Sequence, residues 1–178
     1  ERIENLLDAN SFVEIGAGIS ARNTDFNMTS KETPSDGVIT GYGVVNDSIV
    51  YVYSQDINVL NGSVGEMHVK KISKIYDLAL KTGAPVVGMI DCSGLRLQEA
   101  TDALNAFGEI FLKQVLASGI IPQITAVFCT CGGGAAWIPA MVAQASAAVK
   151  SYCAVLPPTV LLMMLTPLAA GLFMTTWV

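Results

Sequence analysis

The sequence is poor in the residues that enzymes most often use for chemistry. It contains one histidine, His68, and only 14% of its 178 residues are charged. A single histidine cannot supply a metal cluster, and the four cysteines, at positions 92, 129, 131 and 153, lack the spacing of a zinc site. We therefore expect no metal in this chain, and we interpret the cysteines as reduced, buried apolar residues of a cytoplasmic protein.

Positive charge is also scarce. The chain has ten lysines and arginines against fifteen aspartates and glutamates, and apart from the neighbouring Lys70 and Lys71 these basic residues are scattered singly. Without a basic patch, nucleic acid is excluded as an expected partner. The amino end, Glu1-Arg-Ile-Glu, lacks the basic and then apolar pattern of a secretion signal, so we expect a cytoplasmic location.

Hydrophobic residues make up 52% of the chain, and this high fraction indicates surface that is buried in an assembly. Their spacing predicts a short helix over residues 1–10, a polar surface connection over 16–36, and then a series of strands and helices. The series consists of a hairpin (38–45 and 49–53), a helix (66–82, ending at Gly83), a strand (85–90), a helix (98–118) and a strand (122–128). This alternation predicts an α/β fold with a largely parallel sheet.

The most informative stretch is the strand that runs into three glycines, Gly132, Gly133 and Gly134. Glycines allow a ligand to approach the backbone closely. A helix that starts near Ala135 would present unpaired amides and the positive end of its dipole to an anion. The same triplet is also typical of a tight turn that packs a helix against its sheet, so it is weak evidence alone.

A second strand exit, residues 90–99, is expected at the same sheet edge, where ligands of parallel sheets gather. Amides of both exits could hold one carbonyl oxygen as it becomes an enolate or a tetrahedral oxyanion. A serine triad is disfavoured, because Ser93 lacks the G-x-S-x-G elbow and His68 has no evident acid partner. Asp91 and Glu99 are either an acid and a base or helix caps.

Five blocks carry a resemblance to a known family. They are Asp36-Gly-Val-Ile-Thr-Gly-Tyr-Gly, Ser54-Gln-Asp-Ile-Asn-Val-Leu-Asn-Gly-Ser-Val-Gly-Glu66, Asp77-Leu-Ala-Leu-Lys-Thr-Gly-Ala-Pro85, Ser93-Gly-Leu-Arg-Leu-Gln-Glu99 and Val115-Leu-Ala-Ser-Gly-Ile-Ile-Pro-Gln-Ile124. In order and spacing they resemble the biotin-dependent acyl-CoA carboxyltransferases. That family includes the carboxyltransferase subunits of acetyl-CoA and propionyl-CoA carboxylases, methylmalonyl-CoA transcarboxylase and glutaconyl-CoA decarboxylase. Such an ordered set is far more specific than a glycine triplet.

The resemblance implies a crotonase-like spiral of ββα units, truncated, with residues 1–140 as the first part of the N-terminal carboxyltransferase domain. It also implies that carboxybiotin releases carbon dioxide beside an acyl-CoA, that the biotin ureido nitrogen takes the α-proton, and that the thioester enolate then attacks the carbon dioxide. By the same resemblance, Gly133 and Gly134 hold the enolate oxygen, with Leu95 or Gly94 as the opposing donor. The residues expected to shape the acyl-CoA groove, or to serve only as structure, are Gly62, Ser63, Gly65, Arg96, Gln98 and Gly132.

The implied partners are a biotin carboxyl carrier protein, a biotin carboxylase and further copies in a homo-oligomer, hexameric in the intact enzyme. We expect the fragment to be inactive alone. Two alternatives stay open: a non-catalytic structural subunit, and a crotonase-like hydratase or isomerase with Glu99 as its base. The resemblance leaves open which acyl-CoA is used, and it does not separate carboxylase, transcarboxylase and decarboxylase.

The chain departs from the family in two places. The family usually has glycine at the position of Cys129, and its helix after the triplet runs toward a Thr-Asp-Phe segment that is missing here. Residues 141–178 form an apolar tail, and the window 159–178 is long enough to span a bilayer. Its central proline and lack of a basic flank favour an aberrant or misassigned terminus over a membrane anchor.

Overall fold

A five-stranded sheet forms the centre of the protein in a computed structural model, which describes residues 1–22, 26 and 28–143. The strands are β1 (Val13–Glu14), β2 (Val38–Val45), β3 (Ser48–Gln55), β4 (Val86–Cys92) and β5 (Gln123–Cys131). The helices are α1 (Arg2–Leu6), α2 (Glu66–Thr82), α3 (Ala100–Ala117) and α4 (Trp137–Ala143). In the sheet the strands lie side by side in chain order.

The sheet is mixed. Strand β2 pairs antiparallel with both β1 and β3, whereas β3, β4 and β5 are parallel to one another. The expectation of a largely parallel sheet therefore holds only for β3, β4 and β5. The predicted hairpin accounts for the difference, because Asn46 and Asp47 both have positive φ, as a two-residue turn between antiparallel strands requires.

The helices begin and end close to their predicted positions. Helix α2 ends at Gly83, whose φ of 72° is the left-handed conformation of a glycine stop. Helix α3 follows a 3₁₀ turn, Leu97–Glu99, so it begins two residues later than predicted. The helix expected near Ala135 opens as a 3₁₀ turn, Gly133–Ala136, and continues as α4.

Apolar side chains cover both faces of the sheet. Helices α2 and α3 bury Ile72, Ile75 and Ile110 completely on one face, and α1 packs Ile3 and Leu6 against the other. Full burial of such side chains contributes about 1.5–3 kcal/mol each. Strand β4 is buried along its whole length because both of its faces are covered.

The connection before β2 is more buried at its end than expected. Residues 16–36 were predicted to be a polar surface excursion, yet this segment ends in a 3₁₀ turn, Pro34–Gly37, in which Asp36 is fully buried. Burial is possible because Asp36 has an arginine partner from the β4 exit. The segment thus places the Asp36 carboxylate in the interior, in contact with Arg96.

The carboxyl ends of β4 and β5 carry the two exits. Their register is regular up to Ile90 opposite Val127, and Cys92 then lies opposite Cys131. Between these two pairs β5 contains two more residues than β4, so the register is irregular there. The exposed Cys129 lies in this irregular part of β5. The irregularity lies directly before the glycine triplet.

Candidate functional site

The two strand exits lie in contact. The Gly132 amide donates a hydrogen bond to the Cys92 carbonyl oxygen at 3.0 Å. A side chain on Gly132 would collide with the Ser93 carbonyl oxygen, and a Cβ on Gly94 would lie 3.1 Å from the Gly132 carbonyl oxygen. Glycine is thus required where the backbones approach each other.

One amide of the first exit points away from its neighbours. Val64 donates to the Gly94 carbonyl oxygen at 2.9 Å and accepts from the Arg96 amide at 3.0 Å. In this short parallel bridge the amide of the intervening residue, Leu95, points away from Val64. The Leu95 amide donates to no group of the residues that the structure describes.

The second exit offers two further amides. The first turn after the triplet is closed by a hydrogen bond from Ala135 to the Gly132 carbonyl oxygen at 3.1 Å. Within the described part of the chain, the amides of Gly133 and Gly134 therefore have no acceptor, as expected at the start of a helical turn. Among the described residues, no atom lies within 4 Å of the position that a Cβ on Gly133 would take, so there is open space on that side of Gly133.

Gly94 and Leu95 are not equivalent as donors. The Gly94 amide donates to the Cys92 sulfur at 3.1 Å. Of the two alternatives that the resemblance left open, the geometry therefore favours Leu95 as the free donor.

Arg96 is buried beneath the first exit. Its side chain is 1% exposed and donates to the Asp36 carboxylate at 2.5 Å, the Glu99 carboxylate at 2.8 Å and the Ser63 carbonyl oxygen at 2.7 Å. A further bond joins its Nε to the Ser63 hydroxyl at 3.3 Å. A side chain on Gly65 would collide with the guanidinium. The arginine therefore fixes the loop from inside.

The other predicted groove residues divide into buried and exposed ones. Gly62 has a φ of 64° and lies against the Asp91 carbonyl oxygen, and Ser63 is 8% exposed. Gln98 is exposed on the 3₁₀ turn before α3. Gly62, Ser63, Gly65 and Arg96 thus support the loop, and contact of any of these residues with a ligand stays a prediction.

Glu99 and Asp91 are both engaged in structural contacts. One Glu99 oxygen accepts from the Glu66 amide, the first residue of α2, at 2.6 Å, and the other accepts from Arg96. Asp91 is 1% exposed and accepts from Arg2 at 2.8 Å. Of the two interpretations left open for Glu99, the structure shows the cap.

A buried polar network lies behind the site, and the sequence patterns did not reveal it. His68 donates from Nδ1 to the Asp36 carbonyl oxygen at 2.8 Å, and Gln55 donates to its Nε2 at 3.0 Å. Burial, reinforced by the positive Arg96, lowers the pKa of His68 to about 3. Burial also raises the pKa of Asp36, although Arg96 opposes this shift. His68 is thus a neutral structural residue.

Two further observations concern the described residues only. Among them, no three His, Cys, Asp or Glu side chains are grouped as a metal ion requires. In the same residues no helix combines the length and apolarity needed to cross a membrane. The window 159–178 and Cys153 lie outside the part of the chain that the structure describes.

The comparison with protein families agrees with the resemblance. The model of the carboxyl transferase domain matches residues 1–166, and the chain therefore belongs to the carboxyl transferase domain family. The propionyl-CoA carboxylase beta chain of Roseobacter denitrificans is 49% identical over 141 residues, which are 79% of this chain and 28% of that protein. The methylmalonyl-CoA decarboxylase subunit alpha of Propionigenium modestum is 48% identical over 79% of this chain and 27% of its own length.

A solved structure supports the same conclusion. Transcarboxylase 12S, described as a hexamer with methylmalonyl-CoA and methylmalonic acid bound, matches with a TM-score of 0.77 and 41% identity. The match covers 79% of this chain and 28% of that one. The predicted family and the predicted α/β, crotonase-like fold class are confirmed. The chain spans little more than a quarter of the length of these relatives.

Proposed function

We propose that residues 1–140 form the first part of the N-terminal domain of a biotin-dependent acyl-CoA carboxyltransferase. In this proposal the amides of Leu95, Gly133 and Gly134 hold the thioester oxygen of an acyl-CoA as it becomes an enolate. The observation that carries the proposal is that three amides on two touching loops have no acceptor within the described part of the chain, with open space beside Gly133. Donors of this kind contribute about 3–4 kcal/mol each to lowering a barrier.

Backbone donors suit this chemistry because negative charge develops on one oxygen when the α-proton leaves. The amides are fixed before the reaction, so they stabilise that charge without reorganising. A biotin on a partner protein would supply the carboxyl group, and its ureido nitrogen would take the α-proton, so this proposal requires no side-chain base from the described residues. In this proposal both sets of amides reach one oxygen atom, and the close approach of the two loops at Gly132 supports it.

The partners in this proposal follow from the relatives. Their names denote propionyl-CoA and methylmalonyl-CoA enzymes, which supports a short acyl-CoA as substrate. The hexamer described for transcarboxylase 12S supports a homo-oligomer. We further propose a cytoplasmic location, a biotin carboxyl carrier protein and a biotin carboxylase as partners, and turnover only together with the chain that the longer relatives contain.

The test compares two substitutions at Gly134. Alanine and proline both add a Cβ, which would lie 3.3 Å from the Phe107 ring, but only proline removes the amide hydrogen. Gly133 is unsuitable for proline because its φ is 53°. Binding of propionyl-CoA and of free CoA is measured by calorimetry for both variants and for the unchanged chain.

We expect the unchanged chain and Gly134→Ala to bind propionyl-CoA within about threefold of each other. Gly134→Pro is expected to bind it about tenfold more weakly, which corresponds to the loss of one hydrogen bond. Free CoA lacks the thioester oxygen, so its affinity is expected to be equal in both variants. Equal propionyl-CoA affinity in the two variants, or no binding by the unchanged chain, would contradict the proposal.

A further inference from the structure

We propose that Cys92 is a positioning residue, which selects Leu95 as the free donor of the first loop and ties that loop to the second. The inference rests on the proposed function, because it concerns the same amides. Cys92 is the last residue of β4, and it is fully buried. Its sulfur and its carbonyl oxygen form hydrogen bonds with different loops.

The sulfur acts on the first loop. The Gly94 amide donates to Sγ at 3.1 Å, and the thiol in turn lies 3.6 Å from the Gly94 carbonyl oxygen as a donor. These contacts close a tight turn in which Gly94 adopts a φ of 119°. Burial raises the pKa of the Cys92 thiol to about 11, which keeps it neutral near pH 7. A neutral thiol is able both to donate and to accept.

The carbonyl oxygen acts on the second loop. It accepts from the Gly132 amide at 3.0 Å, immediately before the turn that presents Gly133 and Gly134. In the sheet, Cys92 lies opposite Cys131, just after the register shift between β4 and β5. One residue therefore joins both loops at the point where the regular ladder ends.

The consequence concerns which amide is free. With Gly94 bound to the sulfur, and with Val64 bonded on both sides of Leu95, the Leu95 amide is left facing away from these partners. If residue 92 could not accept a hydrogen bond through its side chain, the Gly94 amide would lose its partner, and the turn would lose the bond that ties this amide to the end of β4. Serine has an acceptor at nearly the same place, whereas valine has a similar shape and none.

The first experiment measures hydrogen exchange of the Gly94 amide by NMR in the full 178-residue chain. We expect protection in the unchanged chain and in Cys92→Ser, and exchange at least about tenfold faster in Cys92→Val. Cys92→Ala replaces the valine variant if that variant does not fold. Unchanged Gly94 exchange in the valine or alanine variant would overturn the inference, as would loss of protection in Cys92→Ser.

The second experiment measures hydrogen bonding to the thioester oxygen of a bound acyl-CoA. The carbonyl stretch of propionyl-CoA labelled with carbon-13 at the thioester is recorded by difference infrared spectroscopy on the bound complex. A hydrogen-bonded carbonyl shifts to lower frequency, so we expect a shift with the unchanged chain and with Cys92→Ser. We expect Cys92→Val to lose about half of that shift or more while its affinity for free CoA stays within about threefold.

The two experiments separate the inference from the proposed function. A full shift in the valine variant would overturn the role of Cys92 and leave the carboxyltransferase proposal intact. Absence of a shift in the unchanged chain would overturn the amide site, and Cys92 would then have no donor to select. A purely structural role predicts equal loss of free CoA binding in all the variants, without rescue by serine.

Discussion

Arg96 and Asp36 form a buried ion pair between two loops that are 60 residues apart in sequence. The side chains are 1% and 0% exposed. Arg96 also holds Ser63 and Glu99, so the pair connects the segment before β2 with the loop that carries Leu95. The orientation of the first loop therefore depends on a carboxylate that lies far away in the sequence.

Removal of the Asp36 carboxylate is expected to destabilise the folded protein. Asp36→Asn leaves a buried guanidinium with less compensation, and we expect a loss of about 3–5 kcal/mol in the free energy of unfolding. The control is Asp77→Asn, which breaks the partly exposed pair of Asp77 with Lys113 and is expected to cost less than about 1 kcal/mol. Urea unfolding measures both. Equal costs would show that Arg96 does not depend on Asp36.

The stability of the protein is expected to fall in weak acid because of His68. Its pKa is about 3 in the folded chain against an ordinary value of 6.5, so the folded state disfavours the proton that the unfolded chain accepts. The contribution of neutral His68 to the free energy of unfolding is fully present above pH 6.5. It is lost as the pH falls toward 3, by about 1.4 kcal/mol per pH unit.

Urea midpoints between about pH 7 and pH 5.5 measure the effect. His68 is the only histidine in the sequence, and we assign to it the loss of stability as the pH falls. The raised pKa of the buried Asp36 has the opposite effect, since it favours the folded state as the pH falls. His68→Gln is expected to be less stable at neutral pH but to show a flatter profile. A variant with the slope of the unchanged chain would exclude His68 as its origin.

Two glycines with similar positive φ angles are expected to respond differently to alanine. Gly62 and Gly83 have φ values of 64° and 72°. A Cβ on Gly83 would meet no described residue within 4 Å, so Gly83→Ala is expected to lower the free energy of unfolding by about 1 kcal/mol for the strained φ alone. At Gly62 the Cβ would also collide with the Asp91 carbonyl oxygen, and we expect at least twice that cost in thermal or urea unfolding.

Helix α3 offers a comparison between a buried and an exposed position. Ile110 is 0% exposed and Leu112 is 56% exposed. Ile110→Ala is expected to cost about 2–5 kcal/mol, because it opens a cavity in the core. Leu112→Ala is expected to stay within about 0.5 kcal/mol. A cost above about 1 kcal/mol at Leu112 would show that another part of the protein, or another copy, covers this face in solution.

Local patterns predicted most of the elements correctly. The helix stop at Gly83 and the hairpin turn at Asn46 and Asp47 depend on neighbours in the sequence, and both have the expected conformations. The glycine triplet likewise predicted the helical turn that follows it. The antiparallel part of the sheet was underestimated, because strand and helix alternation describes the later strands better than β1 and β2.

Distant contacts were beyond the reach of such patterns. The burial of Asp36, the cap that Glu99 provides for α2, and the contact of Cys92 with both loops each join residues from separate elements. No spacing rule connects Asp36 with Arg96, since their approach depends on how three elements fold together. A buried aspartate before a glycine is also indistinguishable in sequence from an ordinary turn residue.

The use of peptide amides as donors also affects how this site would tolerate sequence change. Every residue except proline carries an amide hydrogen, so replacement of the Leu95 side chain would remove no donor. The vulnerable positions are those where a side chain would force the two backbones apart, of which Gly132 is the clearest. Substitutions of side chains such as that of Leu95 would thus change the sequence around the site and leave its hydrogen-bonding capacity unaltered.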